Sequence, residues 1–141
     1  MRLVTRGDMD GLTAAVLITS LEQIDAIELI HPQDITDKRF TARPGDIVVN
    51  LPWVDGCTRW FDHHQLTDSN ARPPERFEGR TDPDAPSAAR LVYDYYNHPG
   101  LTRFEELLRE TDRLDSSDLT PEDILNPERY ILLGHTIDSR T

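Results

Sequence analysis

The chain has 141 residues, 37% of them hydrophobic, and a formal net charge of −11. That length supports one domain with its own core, the apolar fraction excludes a disordered chain, and the acidic excess excludes a broad electrostatic footprint for duplex DNA or an anionic membrane. One cysteine, Cys57, excludes an intrachain disulfide and a Cys-rich zinc site.

Along the chain, "RLVTR" reads as a short β-rich run. "GLTAAVLITSLEQI" follows it as a helix with Leu12, Ala15, Val16, Thr19 and Leu21 near helical spacing. "AIELIHP" reads as a second strand stopped by Pro32, and after the polar stretch "QDITDKRFTARPGD", with its Pro44-Gly45 turn, "IVVNL" reads as a third strand apolar enough to be buried on both faces. "TRWF" is a short fourth strand. From Gln65 to Pro86 the chain lacks periodicity, which predicts a long surface loop. "SAARLVYDYY" places Ala88, Leu91, Val92 and Tyr95 on one helical stripe, with Tyr93, Tyr95 and Tyr96 as core or core-edge residues. In "TRFEELLRE", Thr102 and Glu105 have capping-box spacing; in "TPED", Thr120 caps with Pro121 at the first helical position; "PERYILLGHTID" opens a last helix. The order predicts an α/β fold: a mostly parallel, doubly wound sheet flanked by helices, with a helical C-terminal half, forming one domain over residues 1–141. No apolar run approaches the roughly 20 residues that cross a bilayer, and "MRLVTRGD" lacks a secretory apolar core. A cytoplasmic setting without a membrane partner is therefore expected.

The chemistry gathers at the strand ends. "TRGDMDGLTAA" puts Asp8 and Asp10 where the first strand passes into the first helix, with Gly11 permitting the tight turn. The third strand delivers Asn50 to the same edge and the fourth delivers Asp62, His63 and His64, and open parallel sheets bind ligands at that edge. Aspartates with histidine form a hard oxygen set with borderline nitrogen, suited to Mn2+ or Mg2+ more than to structural zinc. Taken singly, the aspartates would cap the helix and the histidines would lie at the surface or core edge. The two motifs in this order, each at a strand end, favour a metal site. Cys57 reads as a small hydrophobe, Trp53 and Trp60 as packing around the sheet edge, and His31, His98 and His135 have no motif partner, although His135 is close in sequence to Asp138.

"DMDG" followed by "FDHH" resembles the DHH phosphoesterase superfamily, and "MRLVTRGDMDGLTAAVLI" with "FDHH" looks most like its exopolyphosphatase-related and RecJ-like members. The resemblance implies two Mn2+ or Mg2+ ions with a water between them that attacks phosphorus. Carried over, Asp8 would bind the first ion and Asp10 with His63 the second. His64, with Asp62 of the same trio, would face the substrate phosphate. A late acidic ligand is expected at Asp112 in "ETDRLDSSD", with Asp138 in "GHTIDSRT" as the alternative. Members commonly continue into a smaller substrate-binding domain, and residues 1–141 are expected to lack it.

The departures are specific. Arg6 and Val4 stand where the family motif opens with histidine, and Asn50 stands where a bridging aspartate is expected. A carboxamide oxygen can ligate, which keeps Asn50 a candidate metal ligand, but it brings no charge, and arginine cannot ligate, so Arg6 is expected to put its guanidinium at the first ion's position, paired with Asp8 and open to phosphate. Three functions remain in view. The first is a metal-dependent phosphoesterase acting on a phosphodiester, polyphosphate or short oligonucleotide. The others are a degenerate phosphate- or nucleotide-binding regulatory module without turnover, and an interaction domain, with homo-oligomers possible in each.

Overall fold

The computed structural model describes residues 1–138, so the last three residues of "GHTIDSRT" lie outside it. The strands are β1 (Arg2–Thr5), β2 (Ala26–Leu29), β3 (Asp46–Val49), β4 (Arg59–Asp62) and β5 (Gly79–Thr81). They form one sheet in the order β2-β1-β3-β4-β5, and every neighbouring pair is parallel. The helices are α1 (Met9–Leu21), α2 (Pro32–Thr36), α3 (Ala88–Tyr96), α4 (Glu105–Asp115), α5 (Pro121–Leu125) and α6 (Arg129–Thr136), with a 3-10 segment over Pro99–Phe104. Among the described residues no helix is long and apolar enough to cross a membrane.

Two apolar layers hold the sheet. On one face Leu3, Ile47, Val49 and Phe61 pack with Leu17 and Ile18 of α1, Leu91 and Val92 of α3, and Leu108 of α4. On the other, Val4, Val48 and Trp60 pack with Leu51, Trp53 and Phe77, and α2 contributes Ile35. Trp60 is edge-on to Trp53 at 5.6 Å and to Phe77 at 5.3 Å, and its indole N–H donates to the Leu51 carbonyl at 2.8 Å. That bond satisfies the polar atom which burial of the ring would otherwise strand. The long helices all lie on the first face; the second carries only α2 and connecting chain.

At the N-terminal edge, Arg2 grips buried Asp46 through Nε (2.9 Å) and Nη2 (2.6 Å) and reaches Glu28 through Nη1 at 2.6 Å. One guanidinium thereby ties β1 to both of its neighbours.

Several local expectations change in three dimensions. The segment 65–86 is not all loop, because Gly79–Thr81 adds β5 to the sheet edge. Gly79 is required there: its φ is +124°, and a Cβ would lie 1.9 Å from the Trp60 carbonyl oxygen. The second strand ends at Leu29, before Pro32, and Pro32 instead begins α2, capped by His31 and Asp34. Thr102 does not cap α4; it lies within the 3-10 segment, its hydroxyl donating to the Pro99 carbonyl, and α4 starts after Phe104 without a side-chain cap. Thr120 does form its capping box with Asp123. The buried residues of α1 are Met9, Asp10, Gly11, Thr13, Ala14, Ala15, Leu17 and Ile18, so Ala15 is buried as expected while Leu12 stays 42% exposed. A helix apolar on most sides gives periodicity little to choose between, and packing against α3 and α4 as well as the sheet selects the buried set.

Candidate metal centre

The order β2-β1-β3 reverses the winding between β1 and β3, and the crevice beyond their C-terminal ends is the place where such sheets bind ligands. Asp8 and Asp10 enter it from the β1–α1 junction. The chain turns there because Gly11 has no Cβ, which would otherwise meet the Arg6 carbonyl oxygen at 2.0 Å. Asn50 enters after β3 with φ +58°, a left-handed conformation that asparagine tolerates better than most residues. Asp62, His63 and His64 enter at and after the end of β4.

Asp10 is buried against the start of α3. Its Oδ2 accepts from the Ala88 N–H at 2.9 Å and its Oδ1 from the Ala89 N–H at 2.8 Å, while Ser87 caps the same helix through the Arg90 N–H. His63 is oriented by the Ala85 carbonyl, 3.0 Å from Nδ1, which assigns the proton to Nδ1 and turns Nε2 toward the carboxylates. That nitrogen lies 2.9 Å from Asp115 Oδ2 and 3.5 Å from Asp10 Oδ2. Although Asp115 is close enough, its direction is not that of a hydrogen bond, and Nε2 is buried without a partner.

Asp10, His63 and Asp115 therefore present three ligand atoms within 4.8 Å of one another. The residues fit a divalent ion on three counts. Bonds of about 2.1 Å at right angles put neighbouring ligand atoms about 3 Å apart, near the observed spacings. The orphaned Nε2 lone pair has no other use. Two carboxylates with a neutral imidazole carry the charge that one divalent cation cancels. Without an ion, protons answer the same imbalance. Burial and the Asp115 charge push the Asp10 carboxyl upward, against the two amides and His63. Burial opposes a charged His63, but Asp115, the Ala85 carbonyl and Asp10 outweigh it and raise the imidazole to about 9.

Beside this triad lies a second cluster. Asp8 caps α1 by accepting from the Gly11 N–H at 2.8 Å, accepts from Asn50 Nδ2 at 2.9 Å and 3.2 Å, and pairs with Arg6 Nε at 3.3 Å. On the other side, the half-exposed His64 ring is tilted 57° against His63 and fixed by Asp62, whose Oδ1 is 2.6 Å from Nδ1. The Asp62 hydrogen bond raises the His64 pKa against the effect of burial. A cleft of about 190 Å³ opens beside the triad, lined by Asp8, Asp10, Leu114, Asp115, Gly134 and Ile137.

Asp112, expected as the late ligand, points elsewhere: its carboxylate takes Arg90 Nε (3.0 Å), Arg90 Nη2 (2.6 Å) and the Ser87 hydroxyl (2.6 Å). Asp138 is exposed and outside the triad, and His135 is exposed on α6. The carboxylate brought beside His63 is that of Asp115, from the same acidic stretch one helical turn later. The repeat of aspartate three residues apart in "TDRLDSSD" was the available signal, and it could not say which one faces inward.

No family model matches the chain, and no curated protein does. The chain is similar to a solved structure described as "pGpG-specific phosphodiesterase - PggH from Vibrio cholrae", with 36% identity and a TM-score of 0.84 over 99% of this chain and 45% of that one. It thus spans less than half the length of that protein.

Proposed function

The chain belongs to the DHH phosphoesterase superfamily, and from that premise we propose that it hydrolyses a phosphodiester bond in a short linear nucleotide, with a divalent ion held by Asp10, His63 and Asp115. The observation that carries this reading is the triad built around buried Asp10, with its orphaned imidazole nitrogen. The oxygen-rich donor set favours Mn2+ or Mg2+ over zinc. When bound, such an ion acidifies a water molecule and offsets phosphate charge.

The protein's own groups do the rest. The α3 amides orient the Asp10 carboxyl group and favour its ionised form against burial, and the Ala85 carbonyl keeps His63 in the tautomer that ligates. Asp62 fixes half-exposed His64 through Nδ1 and favours its protonated form, so the ring can donate a hydrogen bond from Nε2 to a phosphate oxygen. The substrate class, a linear dinucleotide or short oligonucleotide, rests on similarity to the pGpG-specific enzyme.

A second reading, a phosphate- or nucleotide-binding module without turnover, is favoured by one observation: Asp8 is engaged by Gly11, Asn50 and Arg6 together. The two are separated by incubating the protein with Mn2+ and pGpG and following GMP by anion-exchange chromatography. Release of GMP that disappears in Asp10→Ala and Asp115→Ala supports the hydrolase. Tight pGpG binding with no GMP supports the module, and the absence of both overturns the substrate class.

A further inference from the structure

Thr5 Oγ1, Arg6 Nε, Asn50 Oδ1 and His63 Nε2 are buried without a hydrogen-bond partner, and all four come from the C-terminal ends of β1, β3 and β4. His63 is explained by the triad. Arg6 and Asn50 contact Asp8, where the superfamily resemblance leads one to expect a first metal ion.

The residues present do not fit that ion. Both carboxylate oxygens of Asp8 are already approached by donors: Gly11 N–H and Asn50 Nδ2 at Oδ1, Asn50 Nδ2 and Arg6 Nε at Oδ2. The Asn50 amide cannot be turned around to offer oxygen there, because Oδ1 would then face a carboxylate; the hydrogen-bond network itself assigns the orientation. Asn50 is 1% exposed, so no water shell softens that choice. Asp8 and Arg6 also neutralise each other, which removes the charge that would draw in a second divalent cation, and an ion at the neighbouring triad would repel it further.

We infer that the Arg6–Asp8–Asn50 cluster replaces a metal ion with a fixed guanidinium, and that Arg6 is a phosphate-binding residue of a one-ion site. Asp8 engages the Nε side of Arg6, and the terminal nitrogens have no partner among the described residues. The side chain is 30% exposed, so those nitrogens are reachable from solvent. A planar fork with its terminal nitrogens open suits the oxygens of a phosphate better than a point charge does. Asn50 is the positioning residue: it holds Asp8, and Asp8 holds Arg6. The inference rests on the triad as the ion's site, but not on turnover.

The test is calorimetry with Mn2+ alone, then with inorganic phosphate on the Mn2+-loaded protein. The wild type should bind one ion per chain. Arg6→Gln should keep that ion with an affinity within about threefold and lose phosphate affinity by about tenfold or more, the scale of a lost charge-assisted hydrogen bond. Arg6→Lys should lie between. Two ions per wild-type chain, or unchanged phosphate affinity in Arg6→Gln, would overturn the inference. A measurement needing no variant is the 15N–1H resonance of Arg6 Nε in the wild type, which must move when phosphate is added; a stationary resonance also overturns it. If no Mn2+ binds the wild type, the ion site of the preceding section fails, and the Arg6 resonance still decides the phosphate contact.

Discussion

The hydroxyls of Thr13 and Thr111 meet at 2.6 Å in the buried seam between α1 and α4. Thr111 Oγ1 donates to the Leu107 carbonyl at 2.8 Å, so the proton between the two threonines comes from Thr13. Asp10 lies three residues before Thr13 and Asp115 four residues after Thr111, which makes this contact the register pin for the carboxylates of the triad. Thr111→Val should destabilise the fold by about 1–3 kcal/mol, because it strands the Thr13 hydroxyl, and the Thr13→Val, Thr111→Val pair should recover much of that loss. Urea denaturation of the four proteins measures the coupling. Losses that simply add would show that the threonines act independently.

Asp115 and Asp112 occupy one helix but do different things. Asp115→Asn should weaken Mn2+ binding by about a hundredfold, since it removes a charged ligand. Asp112→Asn should leave that affinity within about threefold while lowering stability by about 1–2 kcal/mol through its bonds to Arg90 and Ser87. Calorimetry and thermal melts on both variants check the division of roles. The reverse pattern would return the ligand role to Asp112.

The triad predicts a direction for pH. In the ion-free chain His63 keeps its proton to about 9, above its ordinary 6.5. That proton contributes stability fully present below about 6.5 and lost as pH rises through about 9. Ligation needs the proton gone, so Mn2+ affinity should climb by about tenfold per pH unit and level off above about 9. Free Mn2+ measured by electron paramagnetic resonance at a series of pH values tests this, and a flat profile would contradict the assignment of Nε2 as ligand.

Acid should act at the opposite end of the sheet. Burial works against the Asp46 charge, but Arg2 and the Arg43 N–H hold its carboxyl below the ordinary 3.8. A depressed value means stability present above about 3.8 and lost as pH falls through the lower folded value. Asp46→Asn leaves Arg2 partly unpaired and should cost about 3 kcal/mol at neutral pH. It should also flatten the acid limb of the denaturation midpoint plotted against pH; a limb as steep as in the wild type would place the acid sensitivity elsewhere.

Much of the fold could be read from local pattern, because burial of a strand or a helix stripe leaves a period in the residues themselves. β1, β3, β4 and α3 announce themselves this way, and the cap at Thr120 follows from the short polar side chain that satisfies a helix's first amides. β5 does not, since Gly-Arg-Thr on a sheet edge has neither apolar alternation nor length; only its pairing with β4 makes it a strand. The site divides along the same line. "DMDG" and "FDHH" place Asp8, Asp10 and His63 at strand ends, and strand ends of one parallel sheet share an edge whatever the loops do. The late acidic residue was different in kind, because Asp112 or Asp138 was expected and Asp115 is the one beside His63. Asp112 and Asp115 both lie on α4, three residues apart, so each points to a direction fixed by the helix's rotation about its own axis. That rotation is set by distant partners, Thr13 for one face and Arg90 with Ser87 for the other. Residue pattern left the late acidic residue open between Asp112 and Asp138, and it took the packing of α4 against α1 and α3 to bring the Asp115 carboxylate to His63.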